Sequence, residues 1–135
     1  MFVIRKKFQF SAAHRLFSPD LSEEENCRIF GKCAGLHFHG HNYTLEVAVS
    51  GEVDPKTGMV INFEDLKSIV EEEIVLNLDH KNLNLDVDFL KGEITTSENI
   101  ARLIWERLKP RFTHIKLWEI SLAETGDNIA VYRGD

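Results

Sequence analysis

The sequence predicts an α+β fold in which both helices lie on one face of a β-sheet. Apolar and polar residues alternate over Phe2–Phe10, Tyr43–Val49 and Ile115–Glu124, the last with Trp118, Ile120 and Leu122 on one face. Apolar residues recur at helical spacing in two internal segments, Leu66/Ile69/Val70/Ile74 and Ile100/Leu103/Ile104/Leu108. A period of two marks a half-buried strand, and a period near 3.6 marks an amphipathic helix. The order is therefore strand, strand, helix, helix, strand, strand. Layering the helices on the sheet buries both apolar faces. No repeat or linker interrupts the chain, so residues 1–135 are expected to form a single domain.

The first strand carries Phe2, Ile4, Phe8 and Phe10 on one side, interrupted by Lys6, and the same phase reaches His14. Residues 18–36 read as a long connection, opened by Ser18-Pro19-Asp20 and crossed by an acidic cluster. Long loops in compact domains are often functional. Gly31 and Gly35 flank Cys33 and let the backbone turn sharply around the thiol. Tyr43, Leu45, Val47 and Val49 define the clearest strand, and His39 and His41 extend its odd-numbered face.

Asp54-Pro55-Lys56-Thr57-Gly58 is a turn, followed by a short return strand over Met59–Phe63. The first helix is expected over residues 63–76, with Asn62 at its start and Asp65 where a capping box usually has Glu or Gln. A polar, asparagine-rich loop then carries Asp79 and His80. Thr95-Thr96-Ser97-Glu98 has the form of a capping box for the second helix, which Pro110 ends. Thr125–Asn128 is a turn, and Ile129–Arg133 is the last strand.

Composition narrows the function. The chain is 43% hydrophobic, enough for a proper core. It has 22 acidic and 16 basic residues and a net charge of -6, which argues against a nucleic-acid partner. Two cysteines make no disulfide framework, and Cys27, in an acidic segment, reads as an incidental thiol. The apolar run at the N-terminus is too short for a secretory signal, and its charges follow it. No run reaches transmembrane length. The expectation is a cytoplasmic protein with reduced thiols and no membrane partner.

The chemistry concentrates between Cys33 and Tyr43, which includes His37, His39 and His41. His39 and His41 project to the same side of an extended chain, with Gly40 between them. Neutral imidazoles suit zinc, copper, iron or nickel. A catalytic zinc commonly has three protein ligands and one open position. His14, Cys33, His37 and His80 are candidates for the third ligand. His37 shares the parity of His39 and His41, so only a bend between residues 37 and 39 would remove it from the site. Cys33 has three readings: a buried hydrophobe, a fourth ligand that closes a structural zinc site, or a thiolate that acts as base or nucleophile. Asp79 can orient His80 if the loop turns to bring these neighbours together. Glu124 is in phase with an apolar face. A partly enclosed carboxylate there could accept two parallel hydrogen bonds from an amidine-like ligand edge.

Several motifs, in order and spanning nearly the whole chain, resemble one family. They are Phe10-Ser-Ala-Ala-His14, Gly31-Lys-Cys33, His39-Gly-His41-Asn-Tyr43, Asp54-Pro-x-Thr-Gly-Met59, Leu78-Asp-His-Lys-Asn-Leu83, Thr96-x-Glu98-Asn99 and Glu124-Thr125. The combination is similar to the 6-pyruvoyl-tetrahydropterin synthases and their queuosine-pathway relatives, the 6-carboxy-tetrahydropterin synthases. The resemblance implies the tunnelling fold, a four-stranded antiparallel sheet with two helices on one face. It also implies that three subunits close a twelve-stranded barrel and that two trimers stack into a homohexamer. It places His14, His39 and His41 on the zinc ligands and Cys33 on the catalytic base. Asp79 and His80 fall on a proton relay supplied by a neighbouring subunit, and Glu124 on the anchor of the pterin ring. Thr96 and Glu98 fall in a motif near the pterin site. His37 is additional to the triad, and Phe38 stands where small residues are common.

The implied activity is zinc-dependent conversion of 7,8-dihydroneopterin triphosphate to 6-pyruvoyl-tetrahydropterin with loss of triphosphate. Five residues separate Cys33 from His39, which resembles the biopterin-type enzymes, as do Gly31-Lys-Cys33 and Leu78–Leu83. The first alternative is 6-carboxy-tetrahydropterin synthase of queuosine biosynthesis. The second, of another class, is a non-catalytic zinc-stabilised binding protein with Cys33 as fourth ligand.

Overall fold

The computed structural model describes residues 1–135. Strand β1 (Phe2–His14) pairs antiparallel with β2 (His39–Gly51) along its whole length, from Phe2 opposite Gly51 to His14 opposite His39. A two-residue strand, β3 (Lys81–Asn82), runs parallel to β1 at Ala12 and Ala13. Strand β4 (Lys116–Ala123) pairs antiparallel with β2, and β5 (Ile129–Tyr132) with β4. The sheet order is β3-β1-β2-β4-β5, so the sheet has five strands rather than the four expected. The added strand is too short to carry a periodicity, which is why it reads as loop.

There are also three helices rather than two. Helix α1 (Glu23–Phe30) occupies the segment read as a connection. Its start signal is in the sequence: the Ser22 hydroxyl accepts from the Glu25 N–H, and the Glu25 carboxylate accepts from the Ser22 N–H. The helix lacks an apolar stripe, and its one buried residue is Asn26, so periodicity does not reveal it. Helix α2 begins as Phe63–Val70, widens into a π turn over Glu71–Val75 and closes with an α turn over Leu76–Leu78. The Asn77 amide donates to the carbonyls of Glu72 and Glu73 in that π turn. Helix α3 spans Ser97–Leu108.

Helices α2 and α3 cover one face of the sheet, as the periodicities predict. Leu66, Val70 and Ile74 of α2 and Ile100, Ile104 and Leu108 of α3 pack with Phe8, Phe10, Tyr43, Leu45, Val47 and Val49 in one cluster. Leu45 lies at its centre and is fully buried. Leu45→Ala is expected to cost about 3 kcal/mol of unfolding free energy, seen as a lowered urea midpoint with an unchanged slope.

Three local expectations are corrected. Met59–Phe63 forms no strand: only an isolated bridge joins Asp54 to Met59, and Asn62 already caps α2. The cap of α3 is Thr96, whose side chain accepts from Asn99 N–H, not Thr95. In β4, a register irregularity beside Ala48 and Val49 places Glu119 and Leu117 opposite successive β2 residues. The extra residue, Trp118, inverts the phase before it, so Leu117 rather than Trp118 joins the core.

The other face of the sheet is polar. Glu119 is buried there between Arg5 and Arg133, and the Arg5 hydrogen bond above all holds its carboxyl below the usual range. Strand β3 covers β1 only near its end, and Ile129 and Val131 of β5 are exposed. Both sides of the sheet therefore present free strand edges.

Candidate metal centre and active site

The β1–β2 register builds the site. His14 stands opposite His39, and His41 follows two residues later on the same face of β2. The ring centroids are 4.6 Å apart for His14–His39, 5.2 Å for His14–His41 and 4.8 Å for His39–His41. One ring nitrogen from each of the three lies within 4.8 Å of the others, close enough to share a metal ion. His14 is thus the third member of the cluster, and Cys33, His37 and His80 are not part of it.

His14 is fully buried, and its Nδ1 lies 2.9 Å from the Thr95 carbonyl oxygen. A carbonyl only accepts, so Nδ1 carries the proton and Nε2 keeps its lone pair. Burial, reinforced by charge repulsion from His39 and His41, brings the His14 pKa down to about 4 although the Thr95 hydrogen bond raises it. Desolvation and His41 lower the His39 pKa as well. Neutral imidazole is the form a metal requires. Nε2 of His39 and Nε2 of His41 are buried with no hydrogen-bond partner. Orphaned buried nitrogens are costly. A divalent cation of zinc type would satisfy both, so this donor set fits the metal that the resemblance implies.

The depressed His14 pKa has a consequence for stability. Between pH 6.5 and about 4 the unfolded chain binds a proton at His14 that the folded chain refuses. Stability is unaffected by this group above pH 6.5 and falls as pH drops through that window. The full loss is about 3 kcal/mol on the scale of 1.36 kcal/mol per pKa unit. Metal-free protein should show a lower denaturation midpoint at pH 5 than at pH 7.5, and His14→Asn should flatten that dependence.

Two further groups touch the triad. The Tyr43 hydroxyl is 3.4 Å from His14 Nε2, and burial holds its pKa well above the usual phenol value. Glu124 Oε1 is 3.4 Å from Nε2 of both His14 and His41, in contact with the rings but hydrogen-bonded to neither, so His41 Nε2 stays without a hydrogen-bond partner. Glu124 follows the last residue of β4 and is held by its N–H, which donates to the Asn128 carbonyl across the turn. With Ser97, Glu98, Asp127 and Asn128 it lines a cavity beside the triad. Glu98 therefore joins Glu124 in one concavity, whereas the Thr96 side chain caps α3.

Cys33 sits half-buried in a 3-10 turn, Gly31–Ala34, directly after α1. The Leu16 N–H donates to the Cys33 carbonyl at 2.6 Å, and Arg15 Nη2 donates to the Ala34 carbonyl at 2.9 Å. These bonds tether the thiol-bearing turn to the residues that follow His14. The thiol is not a member of the three-histidine cluster. Phe38 has φ 66° and supplies the bend that turns the exposed His37 away from His39.

Asp79 and His80 lie on the edge of β1. Asp79 Oδ1 accepts from the Ser11 N–H at 2.9 Å, and the His80 N–H donates to the Ser11 carbonyl at 2.6 Å. The Ser11 hydrogen bond is the main reason the Asp79 carboxyl titrates below its ordinary value. His80 has φ 61°, and this left-handed turn lets its Nδ1 reach back to 3.0 Å from Asp79 Oδ2. His80 is exposed, and no hydrogen bond or ion pair joins the pair to the Cys33 thiol.

Sequence reasoning missed Tyr43 and Thr95. Tyr43 shares the odd-numbered face of His39 and His41, and that phase could have found it. Thr95 acts through its carbonyl, which leaves no side-chain signal.

Three imidazoles at the end of the two longest strands of a helix-backed antiparallel sheet define an α+β protein with a candidate metal centre. Comparison with known proteins narrows the class. Residues 3–135 match the family described as "6-pyruvoyl tetrahydropterin synthase". The human "6-pyruvoyl tetrahydrobiopterin synthase" is 46% identical over 132 residues, covering 98% of this chain and 91% of that protein. The structure of Caenorhabditis elegans 6-pyruvoyl tetrahydropterin synthase superposes with a TM-score of 0.93 at 40% identity, covering 99% of this chain and 96% of that one. A "6-carboxy-5,6,7,8-tetrahydropterin synthase" of Haemophilus influenzae is 36% identical, covering 88% of this chain and 93% of that protein. The chain belongs to the 6-pyruvoyl tetrahydropterin synthase family. No helix is long and apolar enough to cross a membrane.

Proposed function

We propose that this chain converts 7,8-dihydroneopterin triphosphate to 6-pyruvoyl-tetrahydropterin, releasing triphosphate. The observation that carries this is the His14–His39–His41 cluster, with the Nε2 atoms of His39 and His41 orphaned and Glu124 standing between it and a cavity that Glu98 also lines. The 46% identity to the human biopterin-type enzyme, against 36% to the carboxy-type one, favours the pyruvoyl product.

Each residue has a task in this scheme. His14, His39 and His41 would hold zinc, which when bound would supply a Lewis acid toward side-chain oxygen and so acidify the neighbouring C–H bonds. Cys33, as thiolate, takes a proton from a hydroxyl-bearing carbon of the side chain. His80, oriented by Asp79, delivers or accepts a proton as general acid-base. Glu124 grips the amidine-like edge of the pterin ring, and Glu98 lines the same cavity. Holding the ring there places the side chain between the triad and Cys33. The cluster contains three histidines and not Cys33, which favours the enzyme over a structural zinc site closed by the thiol.

The relay pair completes the site from another subunit. Its placement on the edge of β1, with no bond to the Cys33 thiol, supports this, and the free edges of β1 and β5 support closure of the sheet into a trimeric barrel and a hexamer. Release of triphosphate from dihydroneopterin triphosphate tests the activity. Mixing inactive Cys33→Ala with inactive His80→Ala subunits tests the shared site. Partial recovery of turnover is expected, and a light-scattering mass of one chain at micromolar concentration would contradict it.

A further inference from the structure

The end of β1 is held by a clamp that the proposed chemistry leaves unassigned. The parallel pairing with β3 stops at Ala13, where the Leu83 N–H donates to the Ala13 carbonyl. Beyond that point no backbone partner continues the ladder beside Arg15. The Asn84 side chain takes its place. Asn84 Oδ1 accepts from the Arg15 N–H at 2.9 Å, and Asn84 Nδ2 donates to the Arg15 carbonyl at 3.0 Å. A primary amide offers one acceptor and two donors in a plane, so it can pair with a backbone unit as a neighbouring strand would. The Thr95 hydroxyl adds a bond to the same Arg15 carbonyl at 3.2 Å and lies 3.4 Å from Asn84 Oδ1. The carbonyl of Thr95, itself buried, accepts from His14 Nδ1.

These bonds converge on one imidazole. Arg15 is the residue after His14, and Thr95 holds both the Arg15 carbonyl and the His14 ring. We infer that Asn84 and Thr95 are positioning residues that fix the His14 ring, with Nδ1 protonated and Nε2 directed at the centre of the triad. His14 is the one ligand outside β2, so its placement decides whether the three nitrogens converge. Asn84 touches none of the triad and acts only through the backbone and Thr95. Hydrogen bonds behind metal ligands typically change metal affinity by about 10–100-fold when removed.

This inference rests on the metal reading of the triad, and its test separates the two. The primary readout is the imidazole nitrogen signals of His14 in metal-free, 15N-labelled protein. Wild-type protein should show His14 as a single Nδ1–H tautomer. Asn84→Ala should show averaging between tautomers and a displaced His14 signal. A wild-type His14 signal in Asn84→Ala would overturn the clamp whether or not the protein binds metal. Failure of wild-type protein to bind zinc would instead overturn the metal reading and leave the tautomer result standing.

The second readout is zinc affinity by chelator competition, with the absorption bands of cobalt(II)-loaded protein. Asn84→Ala should raise the zinc Kd about tenfold and move the cobalt bands. Asn84→Asp keeps the acceptor for the Arg15 N–H but sets a carboxylate oxygen against the Arg15 carbonyl, so it should lose affinity as Asn84→Ala does. Asn26→Ala, at a buried asparagine that hydrogen-bonds Ser18, Leu21 and Ser22 and none of the triad, is the control for lost stability. An equal loss of affinity in that control would overturn the assignment. Should Asn84→Ala fail to fold, Thr95→Val removes the hydroxyl bonds while keeping the carbonyl, and the same two readouts decide.

Discussion

Cys33→Ala is expected to lower turnover by about 10²–10⁴-fold, the usual range for a lost general base, while metal content stays unchanged. The three ligating nitrogens close on one another without the thiol, so removing sulfur leaves the donor set intact. The turn that carries Cys33 is held through backbone groups, by Leu16 N–H and the Arg15 guanidinium, so the truncated side chain does not release it. Measuring zinc per chain and initial rates on the same preparation separates the two roles. Loss of metal together with activity would identify Cys33 as a fourth ligand and favour a structural zinc site.

His39→Ala has the opposite signature: metal and activity are lost together. His39 presents a buried, unpartnered Nε2, and its cross-strand neighbour is His14. Removing a direct ligand should weaken zinc binding by more than the roughly 10–100-fold of a supporting hydrogen bond. The fold should persist, because His39 lies outside the hydrophobic cluster. Elemental analysis of the purified variant, with circular dichroism as the check on folding, measures both. Full retention of metal would end the three-histidine assignment.

The parts of this site that were legible in the sequence are those governed by strand parity. His39 and His41 share a face because a strand repeats every two residues, and His14 keeps the phase of Phe8 and Phe10. Pattern alone does not give the register of β1 against β2. That register makes His14 rather than His37 the partner of His39, and it comes with the left-handed turn at Phe38. The same limit applies to Asp79 and His80, which meet only because His80 takes a left-handed conformation against Ser11.

Elements were missed where local signals conflicted with periodicity. Helix α1 had a complete capping box but no apolar stripe, and β3 was too short to show either period. The phase of β4 failed at Trp118 because one inserted residue reverses every side chain before it. The π turn of α2 left the helical spacing of Leu66, Val70 and Ile74 usable, so the helix was legible although its geometry was not.

The identity of the product tests the central claim most directly. Purified protein loaded with zinc is incubated with 7,8-dihydroneopterin triphosphate, and the pterin is identified by mass while triphosphate and acetaldehyde are quantified. The expected result is triphosphate together with a pyruvoyl pterin that keeps its three-carbon side chain. Acetaldehyde formed one-for-one with triphosphate, with a carboxy pterin as the other product, would contradict it.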